Sequence, residues 1–573
     1  MRVARIRIER FRGYHYAELV VPENMVLAGE PQAGRTDTVE ALRRVLDPRS
    51  TRSRVNPLDI YRPADDDDES LTEVEVTLLD LGNDLETLLS ENLETFDQET
   101  GEIATSRNAG NAALGVRLCY RARYELDTDT GEHWVDYPAR SDPAAGVFKR
   151  ASRIEREALP VQFIDSSPTL QLRAEGVLRA LLANTDPSGL DSALTDLDTA
   201  VHAATGSFSE TDVVTDALDK VIDSGPQTLF GIQDSADISF LADDGSMSAL
   251  LRALQPAISI GAAGALPVRS QGSTLESVLS AAEAIAAARD AQSGVVIVGD
   301  DFGDRLGATS SEHMARLLHV TAGQAILTTR RPEVVRAFDP GELVRLTVSH
   351  GERRQHQLPA VTDKAGRVNR RLVLEQLLAA LSARTVVLLE GPLDVEGYGA
   401  LASRLFLKTN EPHHSLPANG IRLVAPPGSD GGVTRLPAIA EISLKLGFHV
   451  RAIVDNDKPG QEDPAVGILA GMVEQLVVLP TRTAVEAALI RGVPGERLRE
   501  TVETLEDFGM PALPSSLGDD DIADHLLTTK VIKKQGLGAV WAHALTRQPP
   551  IARSVIEAIC SDTRGRIDIP DVS

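Results

Sequence analysis

Residues 25 to 46, MVLAGEPQAGRTDTVEALRRVL, limit the fold more than any other stretch: an apolar run enters a glycine-rich turn, and a segment with helical spacing leaves it. Val39, Leu42 and Leu46 fall on one face of the expected helix. Gly29 and Gly34 let the backbone curl so that its N–H groups turn inward. Strand, tight loop and helix in succession are the building unit of a parallel α/β sheet. The spacing of Gly29, Gly34 and Thr36 is that of the loop G-x-x-x-x-G-K-[ST], which cradles phosphate with backbone amides and a helix N-terminus. Arg35 stands where that pattern has lysine, and the first lysine of the chain is Lys149, so no neighbour in sequence replaces it.

The same strand-then-turn theme recurs along the chain. "IRIERF" alternates apolar and basic residues as a half-buried strand does, and further strands are expected at 72 to 81, 115 to 126 and 161 to 165. From 166 to 245 the spacing turns helical, which predicts an insertion suited to dimerisation. The strands "GVVIVGDD" and "QAILTTRRP" then resume the α/β pattern. The polar stretch 349 to 380 reads as a linker. Beyond it, "RTVVLLEGPLD", "IRLVAPPGSDG", "HVRAIVDNDKPG" and "LVVLPTRTAVEAAL" each run from an apolar strand into a polar turn. The expected organisation is therefore a mixed-sheet domain over 1–165 and 246–348, interrupted by the helical insertion 166–245, then the linker 349–380 and a second, Rossmann-like parallel-sheet domain over 381–573. A chain of 573 residues is too long for one core, which agrees with this division.

Bulk properties narrow the function. No run approaches 18 apolar residues and the N-terminus alternates, so a cytoplasmic protein with no membrane association is expected. Two distant cysteines, Cys119 and Cys560, give neither a disulfide framework nor a thiolate zinc site. The net charge of −26 argues against general polyanion binding but leaves room for a local site. Asp65 to Glu69, five acids in a row, read as a solvated loop.

Two constellations carry chemistry. The first adds to the glycine loop three stretches in a fixed order. Ser270 and Gly272 open a helical pattern in "RSQGSTLESVL", Asp300 and Asp301 end the strand "VVIVGDD", and Arg330 follows the strand "ILTT". Thr36 and Asp300 suit a magnesium ion, while Arg35 is bulkier than lysine and Arg330 cannot act as a base at neutral pH. Binding of ATP is thus easier to support than its hydrolysis. The second is a set of strand-end carboxylates: Glu390 and Asp394 in "LLEGPLD", and Asp455 and Asp457 in "AIVDNDKPG", two apart and able to share one site if Asn456 points away. Glu486 follows the next strand. Several hard oxygen ligands suit Mg2+ or Mn2+, and two such ions can hold both oxygens of a phosphodiester displacement. In a lysine-poor chain Lys533 and Lys534 stand out, and either one near such a site would stabilise charge on a phosphate.

The first set resembles the motifs of an ABC-type ATPase and the second resembles a Toprim domain. Their order, with the helical insertion between the halves of the first, is similar to the OLD (overcoming lysogenization defect) family of nucleases. The opening "IRIERFRGY" resembles the start that this family shares with RecF/SMC-type ATPases. Within the family the chain is similar to the Gabija anti-phage nuclease subunits. The resemblance implies a metal-dependent DNA endonuclease, dimeric or tetrameric, acting in antiviral defence beside a helicase-like partner. In it Glu390, Asp394, Asp455, Asp457 and Glu486 hold the metals and a lysine near 533 assists; Gly29, Gly34, Thr36, Ser270, Gly272 and Asp300 bind nucleotide. Arg35, Asp301 and Arg330 depart from the family pattern at that nucleotide site. A non-catalytic, nucleotide-gated oligomerising module is the second reading. A Toprim primase or topoisomerase ranks lower, for want of a zinc ribbon or a marked nucleophilic tyrosine.

Overall fold

The computed structural model describes the chain except for residues 53, 63–70, 105–110, 126, 165–168, 171–175, 201–210, 226–231, 233–234, 242–254, 262–263, 292–293, 360, 362, 427–431, 458–463 and 572–573. The acidic run at 65 to 69 lies outside the described residues. The chain forms two compact units, Met1–Gln355 and His356–Ser573.

The first unit contains an antiparallel sheet in the order Tyr14–Val20, Arg2–Phe11, Thr72–Leu79, Ala112–Glu125 and Glu94–Asp97, with Thr130–Asp136 also pairing with Ala112–Glu125. Its strands alternate as the sequence predicts. Ile6 and Ile8 are buried, while Arg7 lies on the other face opposite Glu18 and Glu75, a favourable cross-strand charge pairing. A second sheet runs Glu352–Gln357, Leu343–Ser349, Met25–Gly29, Gln324–Thr328, Val296–Gly299 and Val161–Ile164. From Leu343–Ser349 to Val161–Ile164 every pairing is parallel. Met25–Gly29 is buried along its whole length, as expected of a parallel strand covered on both faces. The helix Arg35–Leu46 sends Val39, Leu42, Val45 and Leu46 into a core shared with both sheets.

Helices Val177–Thr185, Pro187–Ala200 and Asp212–Ser224 occupy the expected insertion. The insertion is not wholly helical. Ile238–Leu241 pairs with Gln255–Ser259, which pairs with Ala265–Pro267, in an antiparallel sheet that leads to the helix Ser273–Asp290. The stretch expected as a linker is also ordered into elements. His350 and Gly351, at φ 53° and 82°, make the tight turn that a two-residue hairpin demands, and Glu352–Gln357 continues the second sheet of the first unit. Asp363 then caps the helix Lys364–Leu377, accepting the Gly366 N–H at 2.6 Å.

The second unit holds five strands, all parallel, in the order Ile421–Val424, Thr385–Leu388, His449–Val454, Gln475–Val478 and Gly565–Asp568. In chain order this is 2-1-3-4-5, so the winding reverses between Thr385–Leu388 and His449–Val454. A crevice opens at the carboxyl ends of two such strands, and ligands of doubly wound sheets gather there. Helices close over the sheet around a core that includes the fully buried Trp541, whose Nε1–H donates to the Leu489 carbonyl at 3.2 Å. Among the described residues no helix is long and apolar enough to cross a membrane.

Candidate functional site

In the first unit the carboxyl ends of three parallel strands meet. Gly29 (φ 142°) leaves Met25–Gly29 and Gly34 (φ 101°) begins the helix, and both values exclude most side chains. The first amides of that helix have no partner within it and face a cleft of about 190 Å3 lined by Glu30, Gln32, Ala33, Gly34, Arg35, Thr36, Asp37 and Arg353. Asp300, just past Val296–Gly299, accepts from Thr36 Oγ1 at 3.3 Å and from Thr328 Oγ1 at 2.6 Å. A hydroxyl and a carboxylate so placed form a donor pair suited to Mg2+.

The residues that depart from the lysine-loop pattern are held by the protein itself. Arg35 donates through Nη1 to the carbonyls of Gly29 (3.3 Å) and Thr329 (3.2 Å), so its guanidinium braces main chain. Burial lowers its pKa, offset in part by Asp301. Asp301 sits at φ 42° and is ion-paired with Arg330 at 3.3 Å, and Arg330 also pairs with Asp304. Burial and the adjacent Asp300 push the Asp301 carboxyl up. Ser270 and Gly272 do not line the cleft; they form the turn before Ser273–Asp290, with Ser270 Oγ donating to the Pro267 carbonyl at 2.7 Å.

Local spacing gives no sign of Arg353 on the cleft wall or of the residues that support the loop from behind. Arg353, from the hairpin strand Glu352–Gln357, pairs with Asp37 at 2.7 Å and lies over the Tyr14 ring at 4.5 Å. Tyr14 donates to the Gly34 carbonyl at 3.1 Å, and Arg12 reaches Asp37 at 3.4 Å. Nothing short of the sheet pairing could bring residue 353 to residue 37.

In the second unit the acids stand where the strand order reverses. Glu390 follows Thr385–Leu388 and Asp455 follows His449–Val454, and the Asp455 N–H donates to Glu390 Oε1 at 2.9 Å. Asp394, in the first turn of Pro392–Thr409, accepts the Gly391 N–H at 3.1 Å and is buried. Asn456 turns away: its Nδ2 donates to the Leu479 carbonyl at 3.2 Å and its backbone bridges to Thr483. The flanking Asp455 and Asp457 are thereby left on the other side of the chain. Glu486 opens the short helix Val485–Ala488, and Lys533 Nζ stands 3.5 Å from its Oε1. Lys534, on the same short helix Val531–Lys534, is exposed.

Electrostatics mark this cluster. Asp394 is pushed up to about 7, first by burial and then by Glu390 and Glu486, against the Gly391 hydrogen bond and Lys533. Asp455 is raised well above the carboxylate range by burial, then by Asp394, Glu390, Glu486 and Asp457. The buried Tyr398 hydroxyl has no hydrogen-bond partner among the described residues, and both aspartates raise its pKa further. Buried acids that repel one another call for a cation. The donors are hard oxygens, so the set fits Mg2+ or Mn2+. The protein alone does not pull these carboxylates together: among the described residues, Glu411, His413 and His414 are the group of three whose donor atoms all lie within 4.8 Å.

No protein-family model and no curated protein matches the chain. Solved structures similar to it include an Smc head bound to the C-winged helix domain of ScpA, at 12% identity and TM-score 0.37, covering 64% of this chain and 100% of that one. A Pyrococcus furiosus Smc head domain with an extended coiled coil, bound to the C-terminal domain of ScpA, is similar at 10% identity and TM-score 0.36, covering 62% and 96%. The Thermotoga maritima SMC head domain is similar at 10% identity and TM-score 0.29, covering 63% and 100%.

Proposed function

We propose that the second unit is a Toprim-type, divalent-metal-dependent DNA endonuclease and that the first is an ABC-type nucleotide-binding scaffold, the pairing found in OLD-family nucleases. The observation that carries the nuclease reading is the placement of Glu390 and Asp455 on the two strands that flank the reversal in sheet order, tied by the 2.9 Å hydrogen bond, with Asp394 buried beside them. Glu390, Asp394, Asp455, Asp457 and Glu486 would hold Mg2+ or Mn2+, which when bound supplies Lewis-acid stabilisation of a phosphodiester. Lys533, placed by its contact with Glu486, would approach the scissile phosphate and stabilise its developing negative charge.

In the first unit, the pairing of Asp301 with Arg330 occupies the group that would otherwise orient an attacking water, which favours nucleotide binding over rapid hydrolysis. Assembly into dimers or tetramers, a helicase-like partner and a place in antiviral defence belong to the same reading. Full-length protein incubated with supercoiled DNA and Mg2+ or Mn2+ should nick or linearise it, and Glu390→Gln and Asp455→Asn should each abolish cutting. If both folded variants cut like wild type, the reading is wrong. Metal- or nucleotide-dependent changes in oligomer size with no cleavage of any DNA would favour the non-catalytic module instead.

A further inference from the structure

Arg35 occupies the lysine position of the phosphate loop but spends its guanidinium on two main-chain carbonyls. The cation on the cleft wall whose position the fold has built for is Arg353. We infer that Arg353, not Arg35, is the phosphate-binding cation of the first unit, contributed by the hairpin strand Glu352–Gln357. This rests on the nucleotide reading above and deepens it, naming the ligand as a nucleoside di- or triphosphate gripped through its phosphates by an arginine fork.

Four observations lead there. Arg353 lines the same cleft as Gly34, Arg35 and Thr36, where a phosphate would meet the helix amides. Its side chain is only 14% exposed and is fixed on both sides, by Asp37 at 2.7 Å and by the Tyr14 ring at 4.5 Å. Two glycines make room for it. A Cβ on Gly13 would collide with the guanidinium, and one on Gly34 would lie 2.8 Å from Nη1 and strike the Tyr14 hydroxyl. The strand before it, Leu343–Ser349, pairs directly with Met25–Gly29, placing Leu346 beside Gly29. The arginine is thus carried on the same sheet as the loop it serves.

The cation is also available. Asp37 is shared with Arg12, which has Asp59 at 2.8 Å as a closer partner, so Arg12 can balance Asp37 when Arg353 turns one arm of its fork to an anion. A planar fork grips two phosphate oxygens at once, which an ammonium cannot do. On its other side Arg353 borders a second cleft of about 390 Å3 lined by Tyr14, His15, Tyr16, Tyr61 and His350, wide enough for a flat heterocycle. A nucleotide lying across Arg353 would place phosphates in one cleft and base in the other.

Calorimetric titration of the full chain with ATP, ADP and adenosine, in the presence of Mg2+, tests this. Arg353→Ala should weaken ATP binding about tenfold or more and adenosine binding, which has no phosphate, severalfold less, whereas a merely structural role would weaken both alike. Arg353→Lys should fall between. Gly13→Ala, which displaces the guanidinium without removing it, should also weaken ATP more than adenosine. Wild-type ATP affinity in folded Arg353→Ala overturns the inference. Should that variant fail to fold, wild-type ATP affinity in both Arg353→Lys and Gly13→Ala overturns it equally. Failure of the wild-type chain to bind any of the three ligands would instead sink the nucleotide reading itself.

Discussion

Both units place acids at the carboxyl ends of parallel strands, yet the two sites are in opposite electrostatic states. Around the glycine loop most charged groups are matched: Asp37 with Arg353 and Arg12, Asp301 and Asp304 with Arg330, and Glu30 with the fully buried Arg345, while Asp300 accepts from the Thr36 and Thr328 hydroxyls. At the second site Glu390, Asp394, Asp455 and Glu486 repel one another, and among the described residues Lys533 stands 3.5 Å from Glu486. A matched site is stable as it stands and gains from a ligand only by exchanging one partner for another. A site with excess like charge is held in place by the surrounding fold and relaxes when a cation enters. The same topological position therefore yields a self-satisfied pocket in one unit and a cation-seeking one in the other.

Burial and mutual repulsion both raise a carboxyl pKa, and Glu283 separates them. It lies on Ser273–Asp290, fully buried, with the Leu170 N–H donating to Oε1 at 2.8 Å, and burial alone pushes it up to about 8. A folded-state value above the unfolded one contributes stability below the unfolded value, near 4.3, that is lost as pH rises through about 8. Wild-type stability should thus carry a component falling by about 1.4 kcal/mol per pH unit between roughly pH 5 and 8. Glu283→Gln keeps the acceptor for Leu170 and should remove that component, becoming the more stable protein above pH 8. Urea unfolding of both proteins at pH 5, 6.5 and 8 reads the difference, and parallel pH dependences would show that the fold does not raise this carboxyl.

The contrast between the sites makes a prediction of sign. Asp37→Asn breaks a partly buried pair and strands Arg353, so it should destabilise by about 1–3 kcal/mol. Asp394→Asn removes one of several repelling charges while the amide oxygen can still accept from Gly391, so in EDTA it should stabilise by about 1 kcal/mol. With Mn2+ present the order reverses for Asp394→Asn, because wild type gains from the metal and the variant gains less. Loss of stability in both variants under EDTA would remove the proposed difference between the sites.

Much of this architecture could be read from the sequence, for definable reasons. Short apolar runs ending in polar or glycine-containing turns located the strands at 25, 161, 296, 324, 385, 421, 449 and 475, most of them inner strands, and a strand buried on both faces has little compositional freedom. The two-residue spacing of Asp455 and Asp457 allowed them one site only if Asn456 faced away, and its bond to the Leu479 carbonyl meets that condition. The stretch 349 to 380 was illegible because its strand, Glu352–Gln357, is charged and mostly exposed, so period-2 alternation has no apolar signal to carry it. Arg353 was lost with it, since a contact spanning 316 residues leaves no mark on local spacing. Ile238–Leu241 is missed for a different reason: four residues are too few to show a period.

Sequence alone also left Lys533 and Lys534 equivalent, and the fold separates them. Both sit on the short helix Val531–Lys534, about 100° apart around its axis, so only one can turn toward the carboxylates. Lys533 does so, 3.5 Å from Glu486, and its charge lowers the Asp394 pKa. Its side chain is 63% exposed, so the pairing with Glu486 adds little stability and is easily given up to a phosphate. Lys533→Ala should therefore slow metal-dependent cleavage about tenfold with an unchanged melting temperature, while Lys534→Ala should cut like wild type. Equal losses in the two variants would point to nonspecific attraction of DNA by surface charge, and that alternative would show itself in a rate for both that recovers as ionic strength falls.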